Sequence, residues 1–495
     1  MTGVGTIAAW TGPALVVAIV SRVVTGGVEA PLFVLAVSAA PLLALLAGSA
    51  SRAAPSPFAL AVGLVTVVCV LAAGFRAIND LGHVLGVETG ATLGSTVALV
   101  LVATVWPSRD GVAAAALTLG AGALLIAVIA LGVATAAAPW TAWSRVASRV
   151  AFELGPRSSW PREGVQALEP VTLTFTEPHR VTAATAGVFR VSEHDRGAVV
   201  VREWRLAAGD SMMLRPGDAL AIPVGARVRF EPGKRLPGAP ASGVAWAERA
   251  GAPRARLIAS WLGLVITLAG GAVAILRPAA ALSRAAALMA PATVLGVVWA
   301  ATCWGVYAVD LAPELSIGAP PAALLAHLPP LVAAEPWRSR LLAAIVVALV
   351  ALLLASAAAL CRPVEELSDV GTRRLDAPTR RRGLASALWI AVVTAAAAGS
   401  VVVTDGWSLL LQGAGLAAAT LLGPLLATGD ATGFARARVA GMVTGATLFV
   451  AVAAAAHWRT PAVAALAQYP ALIAAPAAWL VAALARRKVA AATRH

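Results

Sequence analysis

The chain has 495 residues, of which 59% are hydrophobic and 13% charged, and its mean hydropathy is +0.83. Soluble globular domains carry about 25% charged and about 45–50% apolar residues, so this balance excludes a soluble globular protein and a disordered one. The same balance argues against a nucleic-acid-binding protein, although the net charge is +14. The composition therefore predicts a polytopic membrane protein that contacts the lipid bilayer and no nucleic acid.

The basic residues are almost all arginine, since Lys234 and Lys488 are the only lysines. An arginine- and alanine-rich, lysine-poor chain suggests a bacterial source. The three cysteines, Cys69, Cys303 and Cys361, fall inside apolar runs and form no CxxC motif. We therefore expect no disulfide framework, no metal site and no cofactor.

About twelve apolar runs are long enough to cross a bilayer, arranged as five and then seven around one polar interval. This predicts an all-α membrane protein of about twelve transmembrane helices, in domains 1–139 and 256–495, with an inserted domain at 140–255. The predicted spans are 6–24, 30–48, 57–75, 89–106, 111–138, 257–276, 285–309, 341–361, 384–403, 408–427, 439–456 and 469–485.

Arginine in the short loops predicts the orientation, because cytoplasmic loops of membrane proteins carry an excess of positive charge. The loop 362–383, which follows the eighth predicted span, and the C-terminal tail are the most basic segments. Both termini are then cytoplasmic, and 140–255 lies in the periplasm or outside the cell. The predicted location is the bacterial cytoplasmic (inner) membrane. A proline-rich loop at 310–340 lies at the outer face and could form a cap there with the inserted domain.

The inserted domain 140–255 has the composition of a soluble protein. Its first residues, 140–154, place Trp140 and Trp143 among arginines, which is typical of a helix lying along the membrane surface. Beyond Pro156 the hydrophobic period changes to two, as in half-buried strands, and glycine-rich turns separate the runs. These features predict a small β-sandwich or β-barrel. The predicted strands begin at Val171, Gly187, Ala198, Met212, Ala219 and Ala226.

The pattern Gly217-Asp218 followed by Pro223-x-Gly225 resembles the second sequence motif of cupin barrels. That resemblance implies a β-barrel with a metal-binding histidine three residues after the glycine. Val228 occupies that position here, so the resemblance does not extend to a metal centre. The two histidines of the domain, His179 and His194, stand in polar surroundings and are expected to be solvated. We therefore expect a docking or shielding domain rather than a catalytic one.

Charge inside the predicted spans is scarce, although buried charge is the best indicator of function within a bilayer. The nearest acidic residues are Glu29, Glu88, Asp310, Asp405 and Asp430, all at predicted span ends, where a carboxylate can reach water. Among them Asp310, with the neighbouring Glu314, forms the only acidic cluster that a membrane enzyme could use.

Small and weakly polar residues recur in the later part of each half. They favour close helix packing, since small residues let backbones approach, and they leave a substrate or ion pathway as the alternative. The candidate pathway residues are Thr92, Ser95, Thr96, Gln412 and Thr420, and the candidate packing residues are Gly441 and Gly445, which form a GxxxG motif.

The C-terminal end offers a second resemblance. The run Leu421-Leu-Gly-Pro, then 436–442, then Tyr469-Pro-Ala-Leu and Pro476 looks like the closing helices of solute:sodium symporters. It covers about 70 residues in this chain, and it implies sodium-coupled transport of a small solute. The five-plus-seven arrangement with an inserted β domain departs from that family.

Three functions remain after these observations. The favoured one is a non-enzymatic membrane subunit, a scaffold or anchor that packs against other membrane subunits and presents an outer docking domain. The second is a secondary transporter, possible without buried charge because sodium can be bound by backbone carbonyls and hydroxyls. The third is a membrane-embedded transferase acting through Asp310 and Glu314.

Overall fold

The apolar runs of the chain fold into helices, which make up most of the structure. The alternating runs between glycine-containing turns fold into one small antiparallel β region. The computed structural model describes residues 11–26, 35–37, 39, 57–105, 109–154, 160–167, 171–195, 198–240, 242–248, 254–275, 284–316, 322–332, 337–372, 378–403, 405–428, 434–455 and 469–492. Most of the predicted span 30–48 and the acidic residues Glu29 and Asp430 lie outside these residues.

Helices precede and follow the β region along the chain. The first five are α1 Pro13–Gly26, α2 Pro57–Val84, α3 Thr89–Val105, α4 Arg109–Thr135 and α5 Pro139–Ala147. After the strands come α6 Gly243–Glu248, α7 Arg254–Ile275, α8 Arg284–Leu311, α9 Ala323–Ala326, α10 Leu328–Val332, α11 Trp337–Thr372, α12 Pro378–Val402, α13 Gly406–Thr428, α14 Ala435–Ala455 and α15 Ala471–Ala492.

Seven of the described helices are long and apolar enough to cross a membrane, namely α2, α4, α8, α11, α12, α13 and α14. Helices α1, α3 and α7 contain shorter apolar stretches. The chain is therefore a polytopic membrane protein by the length and composition of its helices. The total of twelve spans and their five-plus-seven arrangement stay predictions.

The helices pack through small residues. Gly120 on α4 lies so close to α11 that an added Cβ would stand 2.8 Å from Leu352 Cγ. Gly74 on α2 meets Leu353 in the same way, at 2.7 Å from its Cδ1. Because van der Waals contact in a lipid-embedded bundle replaces the hydrophobic effect between helices, such close approaches hold the bundle together.

Helix α2 is longer than the sequence predicts. The predicted span ends at residue 75, but the helix continues to Val84 and includes Arg76, Asn79 and Asp80. Arg76 and Asp80 are one helical turn apart, and Arg76 Nε lies 2.8 Å from Asp80 Oδ1. The intrahelical ion pair lets two charged residues stay in an apolar helix, in the part of α2 that follows the predicted span 57–75.

Helix α13 contains a π-helical turn at Ala418–Leu422, followed by Pro424. Proline has no N–H, and its ring clashes with the carbonyl of the residue four positions earlier, which is Thr420. A wider turn relieves that clash without ending the helix. The helix begins at the N-cap Asp405, whose carboxylate accepts hydrogen bonds from the N–H groups of Trp407 and Ser408.

The β region consists of two four-stranded antiparallel sheets, in the orders β1-β8-β3-β6 and β2-β7-β4-β5. Apolar side chains alternate inward along the strands, with Phe175, Phe189, Leu220 and Phe230 between them, as in a sandwich. The strands are β1 Val165–Gln166, β2 Val171–Thr174, β3 His179–Ala183, β4 Gly187–Asp195, β5 Ala198–Leu206, β6 Ser211–Leu214, β7 Ala219–Ile222 and β8 Arg227–Phe230.

Six of these strands match the predicted ones, while β1 and β3 were not predicted. β1 has only two residues, and β3 follows Pro178 and begins with a histidine, so its alternation is hard to recognise. The turn glycines act as expected: Gly217 and Gly225 adopt φ of +93° and +81°, which a side chain would disfavour. The cupin-like pattern therefore coincides with the two turns that flank β7.

Candidate functional site

Among the described residues, the β region meets the helix bundle in an area that we call the junction. The junction consists of α5 with the residues up to Phe152, of α6, and of the C-terminal ends of α1 and α8. It contains the most heavily buried charge among the described ion pairs. Asp310, near the end of α8, has a side chain that is 4% exposed. The position of this carboxylate makes the junction the best candidate for a functional site, because buried charge in a membrane protein needs a partner.

Two arginines of the chain entering the β region neutralise Asp310. Arg149 Nη2 donates to Asp310 Oδ1 at 3.2 Å and also to the backbone carbonyl of Asp310. Arg145 Nη2 lies 3.0 Å from Asp310 Oδ2, at an angle too poor for a hydrogen bond. The arginine side chains are 48% and 30% exposed for Arg145 and Arg149. The carboxylate is thus buried and the guanidinium groups still reach solvent, which lowers the desolvation cost of the pair.

The chain leaving the β region is attached to α1. Trp246 on α6 donates from Nε1 to the backbone carbonyl of Val24 at 2.9 Å and is buried. Its ring packs against Trp143 of α5 with the centroids 4.7 Å apart. Gly243 lies directly against the carbonyl of Val146, where a Cβ would clash. Both connections of the β region are therefore fixed to each other and to separate helices of the bundle.

Helix α8 carries two further buried aromatic anchors at this end. Tyr307 donates to the carbonyl of Ala137, between α4 and α5, at 2.6 Å. Trp304 donates from Nε1 to the carbonyl of Leu324 on α9 at 3.1 Å. Both side chains are fully buried. Their polar atoms pair with backbone carbonyls near helix ends, so α8 is bound to the segments on both sides of it.

The expectation that Asp310 is a solvated helix terminus is wrong. Its carboxylate is buried and bound by arginines from a segment 161 residues away in the chain, a contact that no local pattern reveals. Glu314 is buried as well, in the short 3₁₀ helix Pro313–Ser316. A catalytic acid must face substrate, and Asp310 faces two arginines instead, so the geometry does not favour the transferase hypothesis.

The candidate pathway residues of α3 differ in their exposure. Thr92 and Thr96 are buried and Ser95 is exposed. Each hydroxyl donates to the backbone carbonyl four residues earlier, which is that of Glu88, Ala91 or Thr92, at 2.6 to 3.1 Å. Thr92 also fills the space beside Gly82 of α2, where an added Cβ would lie 2.5 Å from its Oγ1. Thr92 therefore has a packing role at the contact of α3 with α2.

The candidate pathway residues of α13 are separated from those of α3. Gln412 is exposed, while Thr420 is buried in the π-helical turn and donates to the carbonyl of Leu416 at 2.8 Å. Next to Gln412, Gly413 contacts Cys69 of α2. At 1.5 Å per residue, that contact lies about 20 Å along α2 from the place where Thr92 meets Gly82.

The candidate packing residues of α14 lie at very close helix contacts. A Cβ on Gly441 would stand 2.7 Å from the carbonyl oxygen of Ala478 on α15. Gly445 lies against the carbonyl of Ala419 in the π-helical turn, closer still. Gly270 of α7 contacts Ala418 of the same turn. The π-helical turn is therefore enclosed by small residues from neighbouring helices, as expected of a packing node.

One histidine prediction is wrong. His179 is completely buried, between the rings of Phe175 and Phe230 at centroid distances of 5.5 and 5.6 Å. Neither ring nitrogen has a hydrogen-bond partner among the described residues. Burial lowers the pKa of His179, and the nearby Glu231 and Glu177 oppose that shift only in part. The imidazole is therefore held neutral in an apolar core.

A second polar group missed by the sequence analysis lies on α2. Arg76 Nη1 donates to the carbonyl of Val403, at the end of α12, at 3.1 Å. Asn79, which directly precedes Asp80, is buried, and its amide oxygen accepts no hydrogen bond from the described residues. The apolar run ends at residue 75, so the sequence placed these residues in a loop, whereas the structure continues α2 to Val84.

Metal ligands are not grouped in the part of the chain that the structure describes: no three His, Cys, Asp or Glu side chains come together there. The chain matches no protein-family model, and no curated protein matches it. The resemblances to cupin barrels and to solute:sodium symporters are therefore without support from these comparisons, and the functional argument depends on the residues themselves.

Proposed function

We propose that this protein is a non-enzymatic integral membrane subunit that holds its β region in a fixed orientation for docking within a larger complex. The observation that carries the proposal is the double attachment at the junction. Arg145 and Arg149 bind Asp310 of α8 on the entering chain, and Trp246 binds α1 on the leaving chain. A domain held at both ends by different helices cannot swing freely, which suits a docking platform.

We further propose that the β region is periplasmic or extracellular and that the membrane is the bacterial inner membrane, with both termini in the cytoplasm. The charge distribution supports this orientation. In addition, Arg438 of α14 and Arg486 of α15 both bind the last turn of α13, through Thr428 Oγ1 at 3.1 Å and the Ala427 carbonyl at 2.8 Å. Two segments that the charge rule assigns to the cytoplasm thus meet at one end of the bundle.

A secondary transporter is the second candidate, favoured by one observation. The π-helical turn at Ala418–Leu422 interrupts α13 in mid-helix, and interrupted helices supply the carbonyls that bind coupling ions in many carriers. Against it, the turn is closely enclosed by Gly270 and Gly445, and the hydroxyl of Thr420 donates within its own helix.

The test is purification of the full chain from its native membrane in mild detergent, followed by quantitative mass spectrometry. We expect other membrane subunits in fixed stoichiometry. Asp310→Asn, which weakens the junction, should reduce their recovery, because the β region loses its fixed orientation. Glu203→Gln is the matched control, since it removes an exposed carboxylate of the β region that binds Arg190 at 2.9 Å.

Three results would contradict the proposal in different ways. A chain that purifies alone and moves a solute in proteoliposomes would establish the transporter instead. Equal recovery of partners with Asp310→Asn and with the parent chain would show that docking does not depend on the junction. Equal loss with Glu203→Gln would mean that any change of surface charge disrupts the complex.

A further inference from the structure

The beginning of α14 and the end of α15 lie together at one end of the bundle. Gly441 of α14 packs against Ala482 of α15, where an added Cβ would stand 2.8 Å from the alanine Cβ, and Gly445 packs in the same way against Ala478. Residue numbers rise along α14 as they fall along α15, so the two helices are antiparallel. We call the basic residues at this shared end the basic cluster, which consists of Arg436, Arg438, Arg486, Arg487 and Lys488.

Two arginines of the basic cluster are held in place by α13. Arg438 Nε donates to Thr428 Oγ1 at 3.1 Å. Arg486 Nη1 donates to the Ala427 carbonyl at 2.8 Å, and its guanidinium carbon lies 5.1 Å from the centroid of the Phe434 ring. Because Thr428 directly follows Ala427, the two guanidinium groups are held near each other. Arginines that are already positioned in this way lose less conformational entropy when they bind an anion.

The three helices that form this end of the bundle carry no acidic side chain. Residues 406–428 and 431–495 contain neither aspartate nor glutamate. The last turn of α13 offers the negative end of a helix dipole, which is equivalent to only about half an elementary charge. Arg436, Arg487 and Lys488 are exposed, so their charges can be reached from outside the chain. An anion that binds here would reduce the repulsion between the basic side chains.

Exposed apolar side chains continue from the basic cluster along both helices. On α15, Leu484 and Leu480 are 50% and 52% exposed, and they precede Lys488 on the same face by one and two turns. On α14, Val443 is 50% exposed and follows Arg436 by two turns. Each helix therefore presents positive charge at its end and an apolar surface beside that charge. An anionic phospholipid has the matching order, with a phosphate at the membrane surface and acyl chains below it.

We propose that the basic cluster binds the phosphate of an anionic phospholipid from the surrounding bilayer. Arg438 and Arg486 donate hydrogen bonds to the phosphate oxygens, since a guanidinium group carries five N–H donors. Arg436 and Lys488 add positive charge, and the acyl chains lie along the exposed faces of α14 and α15. The ligand is a lipid rather than free phosphate because the apolar surface adjoins the charge. This proposal depends on membrane embedding and not on the scaffold function.

The experiment measures lipid binding to the full chain in detergent by native mass spectrometry, with phosphatidylglycerol or phosphatidylcholine of identical acyl chains as the probe. The test variant is Arg436→Gln with Lys488→Gln, because both side chains are exposed and the hydrogen bonds to α13 come from other residues. The matched control is Arg180→Gln with Arg229→Gln, which removes the same charge from exposed positions of the β region. Thermal unfolding of each variant in the same detergent establishes that it is folded.

We expect the parent chain to retain phosphatidylglycerol at concentrations at which phosphatidylcholine dissociates. The test variant should bind phosphatidylglycerol about fivefold more weakly for each charge removed, and the control variant should bind it as tightly as the parent chain. Equal retention of the two lipids by the parent chain would overturn the proposal, and so would equal weakening in the control variant. Displacement of phosphatidylglycerol by an equal concentration of inorganic phosphate would also overturn it, and would assign the basic cluster to free phosphate.

Discussion

At the scale of single residues, the informative side chains are polar groups whose environment contradicts their sequence neighbourhood. Asp310 lies at a predicted span end and His179 in a polar stretch, positions that suggest solvent, yet both are buried. They differ in how the cost of burial is met. Asp310 is compensated by two arginines, whereas His179 avoids the cost by staying neutral.

Asp310→Asn should destabilise the full chain. The substitution leaves Arg145 and Arg149 without their carboxylate, and because both arginines are partly exposed the loss should be about 1–3 kcal/mol, below that of a fully buried pair. The measurement is thermal unfolding in detergent, with Glu203→Gln as the control for an exposed pair, expected to cost under about 1 kcal/mol. If both substitutions lower the unfolding temperature equally, the Asp310 pair contributes no more to stability than an exposed pair does.

His179 should make the stability of the β region depend on pH. Its pKa is lowered in the folded state by burial, so the unfolded chain, with an ordinary histidine pKa of about 6.5, takes up a proton first as the pH falls. Protonation therefore favours the unfolded state, and the free energy of unfolding falls below about pH 6.5, by up to about 1.4 kcal/mol per pH unit.

The measurement for His179 is the unfolding midpoint of the full chain from pH 8 to pH 5, followed by tryptophan fluorescence. His179→Phe fits between Phe175 and Phe230 and removes the titrating group, so its curve should be flatter. An unchanged pH dependence in that variant would assign the effect to other groups.

At the scale of elements, the glycines of α14 and the polar residues of α3 and α13 support different functions of the bundle. Gly445 lies against the carbonyl of Ala419, whereas Ser95 of α3 and Gln412 of α13 are exposed. A packing role makes size decisive and a pathway role makes hydrogen-bonding chemistry decisive, so substitutions can separate the two.

Gly445→Leu should be much more damaging than Ser95→Ala or Gln412→Leu. Leucine would force α14 away from the π-helical turn, a distortion of about 1–3 kcal/mol or more, while each polar substitution removes at most one interhelical hydrogen bond of about 0.6 kcal/mol. The yield of folded protein in size-exclusion chromatography measures the effect. A Ser95 or Gln412 variant that folds fully but loses activity would favour the transporter.

At the scale of the whole molecule, the orientation in the membrane connects the bundle to the β region. If the basic segments are cytoplasmic, the β region is outside and reaches a different compartment from the two termini. A reporter fused after Arg382 should then give a cytoplasmic signal, and a reporter inserted near Arg196 should give an external signal. A cytoplasmic signal near Arg196 would exclude the five-plus-seven topology.

The amino-acid sequence by itself determined the membrane class and the positions of most helices and strands. Apolar length and the period-two alternation are local properties, and so are turn glycines such as Gly217 and Gly225. The end of a helix was harder to predict from local pattern. In α2 the helix continues past the apolar run and includes the intrahelical Arg76–Asp80 pair.

Only the tertiary structure decided which polar residues are buried and what neutralises them. Asp310 meets arginines far away in the chain, and His179 is enclosed by rings from β8 and from the turn after β2. The free energy of a buried charge or imidazole depends on the groups that surround it in space. Those groups are brought together by the packing of distant segments, so the junction could not be recognised before the fold was known.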